Sequence, residues 1–389
     1  MPEIAALKFT VLFAGGGTGG HLMPGLSVAE ELRRRCAARA RLVFVGTESE
    51  LERRMVEGRD FEYLTLPSLK YTGSALRAPA WAMRSAGGLW AARRLVAKVG
   101  PDVIASLGGH AALAPSLAGA LADIPIAAME QNAIPGKVSK LLSWWAREVY
   151  VPWPGIESLF AHPDRVYVTG NPIRSELLQR PARAPAAVKF GLDPHKKTLL
   201  VMGGSQGARF INRAVTESLP QLDAESDWLQ VIHGAGALHA EEVRAAYAGR
   251  KVRAAVLPFI DDMASAYAAC DLALCRAGGT TLAELTALGV PASLVPLPIA
   301  ANDHQRRNAS FVAGAGAAFL LEQEDLSGGR LMTVLVNLLR NETCLARMRA
   351  ASARLGRPAA TLNVVNRLLG LLPAGPAGEA VLPAAAQGD

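Results

Sequence analysis

Leu12-Phe-Ala-Gly-Gly-Gly-Thr-Gly-Gly-His21 and Leu200-Val-Met-Gly-Gly-Ser-Gln-Gly-Ala208, about 190 residues apart, decide the fold. Each stands between an apolar run and an amphipathic segment. A strand that ends in glycines turns sharply, so the next helix aims its free N–H groups and positive dipole end at an anion. One such loop is a weak signal; two predict tandem nucleotide-binding halves with a diphosphate lying between them.

A chain of 389 residues exceeds what one core usually supports, and alternating strand and helix patterns predict two α/β domains. The uncharged run Val103 to Ala122 is long enough for a membrane span, but Gly108, Gly109, His110 and Pro115 make it a strand, a turn and a helix. Leu285 to Asn302 is interrupted by prolines in the same way, and no signal peptide is expected at the start. Cys36, Cys270, Cys275 and Cys344 form no CxxC pair, which predicts free thiols in a reducing compartment, the cytoplasm by default. The formal charge of +7 is compatible with nucleic acid, an anionic bilayer, acidic substrates or plain solvent, so its location must decide.

In the first half, strands are expected at Thr10 to Ala14, Leu42 to Gly46, Val103 to Leu107, Ile126 to Met129, Val149 to Val151 and Val166 to Gly170, with a helix from Pro24 to Cys36. Their β-branched runs lack strict alternation and suit a parallel sheet covered on both faces. Asn171-Pro172 sets a boundary between domains 1–170 and 171–356. The second half repeats the alternation at Thr198 to Met202, Leu229 to Ile232, Ala254 to Leu257, Leu272 to Leu274 and Ala292 to Val295. One helix is expected from Ser327 to Leu355 and another over 357–372 that crosses back onto the first domain, followed by a disordered tail, 373–389.

Each motif has a competing reading. Gly15-x-Gly17-x-x-Gly20 fits a dinucleotide fingerprint, for which Glu48 would have to supply the ribose acid. Gly203-x-Ser205-x-Gly207 matches a hydrolase nucleophile elbow, with Asp261, Asp303 and His304 downstream; that serine hydrolase would leave the first domain idle. His21 stands where a helix begins, and the positive helix end disfavours its cation and keeps it a usable base. Cys275-Arg-Ala-Gly-Gly-Thr-Thr-Leu-Ala-Glu284 is a third glycine turn, whose Glu284 is either a dipole partner or an acceptor for vicinal ribose hydroxyls. Arg77, Arg84, Arg93 and Arg94 interleave with Trp81 and Trp90 and no acid, either as an ordinary helix face or as a patch lying on anionic lipid. No recognition module accompanies them, so nucleic acid is not an expected partner.

Gly15 to Gly25, Glu130-Gln131-Asn132, Gly170 to Arg174, Gly203 to Ala208, Phe259 to Met263 and Cys275 to Glu284 together closely resemble one family, in order over about residues 10 to 370. It is the undecaprenyldiphospho-muramoylpentapeptide β-N-acetylglucosaminyltransferases. The resemblance implies a GT-B fold of two Rossmann-like domains. It also implies inverting transfer of N-acetylglucosamine from UDP-GlcNAc to the C4 hydroxyl of the muramoyl sugar in lipid I, on the cytoplasmic membrane face, near other cell-wall synthesis proteins. Implied donor contacts are Arg174 and Ile260 at uracil, Glu284 at the ribose, Ser205 with Gly279, Thr280 and Thr281 at the diphosphate, and Asn132, His304 and Gln305 at the sugar, with Thr18 and Gly19 in the first loop. Thr18, His21 and Asn212 face the acceptor, and Glu130 and Asn132 join His21 in the catalytic set. The chain departs from the family at Met129, at His110 and at Gly278-Gly279; a histidine at 110 would take over part of the role lost at 129.

Inversion needs one in-line displacement and one base, for which His21 is the candidate. Helix N-termini and loop amides meet the charge on departing UDP. No Asp-x-Asp pair suits a metal on a diphosphate, so no cofactor is expected. Alternatives are a UDP-sugar transferase acting on another membrane lipid and a UDP-GlcNAc epimerase.

Overall fold

A computed structural model describes residues 8–16, 19–66, 78–204, 207–300, 303–326 and 329–373. It divides into two units, one formed by 1–131, 135–173 and 359–389 and the other by 132–134 and 174–358.

The first unit is built on a parallel sheet of seven strands, β1 (Phe9–Gly15), β2 (Ala40–Gly46), β3 (Glu62–Thr65), β4 (Val103–Gly108), β5 (Ile126–Met129), β6 (Glu148–Val151) and β7 (Val166–Val168), in the order 3-2-1-4-5-6-7. Successive side chains of a strand point to opposite faces, and β1 shows why both must be covered. Phe9, Val11 and Phe13 enter one buried cluster with Leu22, Leu26 and Leu32 of helix Gly19–Cys36, while Leu12 and Ala14 enter another with Ala92, Val96 and Val99 of helix Ala78–Val99. The first cluster also takes Val364, Val365, Leu368 and Leu369 from the helix Ala360–Gly370.

The second unit repeats the plan with six parallel strands, β8 (Lys197–Met202), β9 (Leu229–Gly234), β10 (Arg253–Leu257), β11 (Leu272–Cys275), β12 (Ala292–Leu294) and β13 (Ala318–Leu320), in the order 10-9-8-11-12-13. Both orders reverse direction beside the strand that feeds a glycine loop, β1 in one unit and β8 in the other. That switch point is where doubly wound sheets open a ligand crevice.

Several expectations need correction. The edge strands β3 and β13, of four and three residues, are additional to the strands expected: each has a short run with an exposed or half-buried residue in it and no glycine turn directly after it. The helix placed from Pro24 begins at Gly19, with Pro24 inside it and donating no ladder bond. The single helix expected over 327–355 is two, Arg330–Arg340 and Glu342–Leu355, because the Asn341 side chain accepts from Cys344 N at 2.9 Å and starts a new helix. The chain leaves the first unit after Ile173, next to the Asn171-Pro172 break. Thr361 Oγ1 accepts from Ile173 N at 3.2 Å and donates to Ile173 O at 2.8 Å, pinning Asn171-Pro172-Ile173 to that unit. All four cysteines are free thiols. The expectation for the tail beyond Pro373 lies outside the described residues.

His233 in β9 is fully buried, and burial pushes its imidazole down to about 4. Unfolded, it binds a proton near pH 6.5, so between those values the unfolded state holds more protons. Its stabilising contribution is therefore complete above pH 6.5 and is lost as pH falls toward 4, roughly 3 kcal/mol in all at about 1.4 kcal/mol per pH unit. Urea unfolding at pH 7, 5.5 and 4 should show this loss in the native protein, and His233→Gln should remove that share of the slope.

Candidate functional site

In the first unit, β1 ends against β4: a Cβ on Gly15 would stand 2.8 Å from Leu107 Cβ and 2.9 Å from Gly108 O. Gly108 and Gly109 turn with φ of 83° and 72°, which favours glycine. The half-buried imidazole of His21, third residue of its helix, lies on this turn. A Cβ on Gly109 would be 3.7 Å from His21 Nδ1, and one on Gly108 would be 3.4 Å from His21 Cδ2. His110 follows at the start of a single turn, half-buried. Glu130 is buried and accepts from Gln131 N at 3.0 Å and Gly136 N at 2.9 Å, which shapes the loop after β5. Met129 points into the core cluster, so the departure from the family at this position is a packing change. Gly17 and Thr18 lie outside the described residues, whereas Gly19 opens the helix.

Sequence reasoning stopped at Glu48 and missed Glu52. This buried carboxylate accepts from Thr47 N at 3.0 Å and stands 2.8 Å from the Tyr63 hydroxyl. It lies on the first glycine loop, since a Cβ on Gly16 would come within 2.4 Å of its Oε2. The available signal was its place four residues before Val56, which puts both on the inward face of helix Glu50–Glu57.

In the second unit a cavity of about 570 Å³ is lined by the second and third glycine turns, through Gly203, Gly204, Gly207 and Gly278, together with Arg276 and Gln305. Arg276 is the second omission. Its Nη1 donates to the carbonyls of Val295 and Pro296 at 3.0 and 2.9 Å, its Nη2 to Gln323 Oε1 at 2.9 Å, and none of these partners is charged. Burial lowers its affinity for the proton, as for any cation moved out of water. Gly279 begins helix Gly279–Ala287 at the cavity edge, with Thr280 and Thr281 in its first turn. Gln305 accepts from Leu297 N at 3.0 Å, and His304 opens helix His304–Gly314. Ser205, and with it the hydrolase nucleophile, lies outside the described residues.

Glu284 is buried on the same helix, with Tyr267 donating to Oε2 at 2.8 Å and Arg174 Nη2 donating to Oε1 at 3.3 Å. Burial pushes its carboxyl up while Arg174 and Tyr267 pull it back. Arg174 Nε is a buried donor without a partner among the described residues. The Ile260 side chain covers Gly234, where a Cβ would fall 2.9 Å from Ile260 Cδ1. Asn308, fully buried, accepts from Ala133 N at 2.8 Å and donates to Asn132 Oδ1 at 3.0 Å and Ala277 O at 3.1 Å, so Asn132 is held at the third glycine turn. Asn212 is buried and bonded to His233 and Ala235.

Among the described residues no group of three or more His, Cys, Asp or Glu is placed to hold a metal ion, and no helix is long and apolar enough to cross a membrane. Trp90 is exposed with Arg94 4.8 Å over its ring, and Arg93 is exposed beside it. Trp144, Trp145 and Leu141, which follow Lys137 and Lys140, are a further exposed apolar group. Arg77 and the side chains of Trp81 and Arg84 lie outside the described residues.

Family models for the glycosyltransferase family 28 N-terminal and C-terminal domains match residues 11–151 and 198–362. A UDP-N-acetylglucosamine–N-acetylmuramyl-(pentapeptide) pyrophosphoryl-undecaprenol N-acetylglucosamine transferase from Nitratidesulfovibrio vulgaris is 41% identical over 93% of this chain and 97% of its own. One of the same name from Myxococcus xanthus is 39% identical over 93% of both chains. The crystal structure of Acinetobacter baumannii MurG, 29% identical, superposes with a TM-score of 0.73 over 92% of this chain and 99% of the other.

The packing of Glu52 on Gly16 has a direct test. Gly16→Ala should destabilise the protein in urea by about 1–3 kcal/mol, the usual range for overpacking. The same change in a Glu52→Ala background should cost under half as much, and equal costs in both backgrounds would refute the contact.

Proposed function

The chain belongs to glycosyltransferase family 28, among the transferases that carry N-acetylglucosamine from UDP-N-acetylglucosamine to N-acetylmuramyl-(pentapeptide) pyrophosphoryl-undecaprenol, and we infer from its two units how the work is divided. The observation that carries the inference is the cavity of the second unit. Two glycine turns and a guanidinium whose bonds among the described residues are all to neutral partners converge on it.

The second unit takes the donor. The diphosphate lies over the loop 203–208 and the amino end of helix Gly279–Ala287, with Ser205, Gly279, Thr280 and Thr281 as donors and Arg276 as the fixed cation. Glu284 accepts the ribose hydroxyls, exchanging its bond to Arg174 for them, and the unpartnered Arg174 Nε and the backbone of Ile260 serve uracil. Asn132, His304 and Gln305 meet the sugar.

The first unit supplies the base. As the acceptor O4 forms its bond to the anomeric carbon, the bond from that carbon to the diphosphate oxygen breaks, UDP departs with the electron pair, and the O4 proton passes to His21. The carboxylate of Glu130 acts through the loop it shapes, and His110 stands beside the acceptor. The charge that builds on UDP is met by Arg276 and the two helix ends in a partly dry cavity, where such donors are strongest. We propose that no metal is needed.

The acceptor is anchored in a bilayer, and exposed indoles among cations suit the headgroup region of an anionic membrane. Trp90 with Arg93 and Arg94, and Trp144 and Trp145 behind Lys137 and Lys140, form the peripheral contact of the first unit with the cytoplasmic face.

UDP release from UDP-GlcNAc in EDTA should occur only with a short-chain acceptor analogue and yield a disaccharide; release without acceptor, or none at all, overturns this scheme. In that assay His21→Ala should lower kcat about 10²- to 10⁴-fold with little change in the KM for UDP-GlcNAc. Arg276→Gln should lower kcat roughly 10²-fold or more. Co-sedimentation with anionic vesicles should weaken in Trp90→Ala and in Trp144→Ala/Trp145→Ala and fall with salt, and undiminished binding by both would exclude these faces.

A further inference from the structure

The second glycine loop is held from behind by a chain of buried side chains whose proton directions are fixed by elimination. Asn212 Nδ2 faces the carbonyl of Ala235 at 2.7 Å and must donate to it. Asn212 Oδ1 therefore faces His233 Nε2, at 3.1 Å, as an acceptor, and that nitrogen carries the hydrogen. His233 Nδ1 is then bare and accepts from the Tyr247 hydroxyl at 3.4 Å. Asn212 and His233 are buried throughout, at 5% and 0% exposure, so no water competes for these bonds.

The chain ends where the loop packs on the end of β9. Gly207 turns with φ of 75°, and a Cβ on it would stand 2.3 Å from Ala235 O, so the carbonyl that Asn212 grips is the one against which the loop packs. Asn212 sits in the first turn of helix Arg209–Glu217, its own N–H bonded to Ala208 O at 2.9 Å. It thus ties the helix that leaves the loop to the end of β9 that the loop touches. Ala235 is fixed on its other side by donating to Leu257 O at 2.9 Å.

We propose that Asn212 and His233 are positioning residues for the donor: they hold Ala235 against Gly207 and so fix the place where the chain enters helix Arg209–Glu217, on the side of the cavity that receives the diphosphate. This rests on the second unit being the UDP-GlcNAc unit. It moves Asn212 from the acceptor side, where the sequence resemblance placed it, to the support of the donor loop. Tyr247 completes the chain at its longest bond and has the smallest effect.

Calorimetric titration with UDP, which needs no acceptor and no turnover, tests the proposal. Asn212→Ala and His233→Ala should each weaken UDP binding at least tenfold and raise the KM for UDP-GlcNAc in step, while the KM for the acceptor analogue stays within twofold. His233→Gln, whose amide can donate to Asn212, should recover most of the affinity, and it carries the test if the alanine variants do not fold. Folded variants that bind UDP within twofold of the native protein, or whose acceptor KM rises instead, would overturn the proposal. A native protein that binds no UDP would remove the donor assignment itself and this inference with it.

Discussion

Backbone packed on backbone more closely than any Cβ permits is the constraint on which this chain is built. Side chains on Gly15, Gly203 and Gly207 would stand within 2.8, 2.0 and 2.3 Å of neighbouring atoms, two of these contacts being with main chain. Because only glycine fits, strand end and helix start come together at the carboxyl edge of each sheet, and the free N–H groups of the helices gather there. Loop, helix start and neighbouring strand are packed together, and behind the second loop the Asn212 side chain is bonded to the strand end that the loop touches.

The two glycine loops are alike in sequence and opposite in electrostatics. The first rests on the carboxylate of Glu52, while the second shares its cavity with the guanidinium of Arg276. A carboxylate beneath a loop raises the local cost of a second anion, and a half-buried guanidinium lowers it. The same backbone device thus meets a carboxylate in one unit and a guanidinium in the other.

Strands were legible wherever a mainly apolar run met a glycine turn, as at Val103 to Gly108 and Lys197 to Met202, because burial on both faces favours apolar side chains throughout. The short edge strands at Glu62 and Ala318 were not, since edges carry little pattern. Among the site residues, most of those inside a glycine motif announced themselves. Arg276, Glu52 and Asn308 did not, because their roles come from partners brought near by folding: Asn308 grips Ala133 across 175 positions of sequence and Arg276 takes carbonyls about 20 positions on. No local window holds that information. The family resemblance named the reaction, but it did not disclose that Asn212 is buried.

The last helix closes the core of the first unit with Val364, Val365, Leu368 and Leu369. Arg367 seals its flank through two bonds to Glu148, at 2.7 and 2.6 Å. On the ribosome this has a direct result: the core built on β1 lacks one cover until residues 360–370 have left the exit tunnel, whereas every strand of the other unit has by then been made. Synthesis therefore delivers every strand of the second unit before the core of the first can close, and a chain cut short before residue 360 leaves that core open on one side.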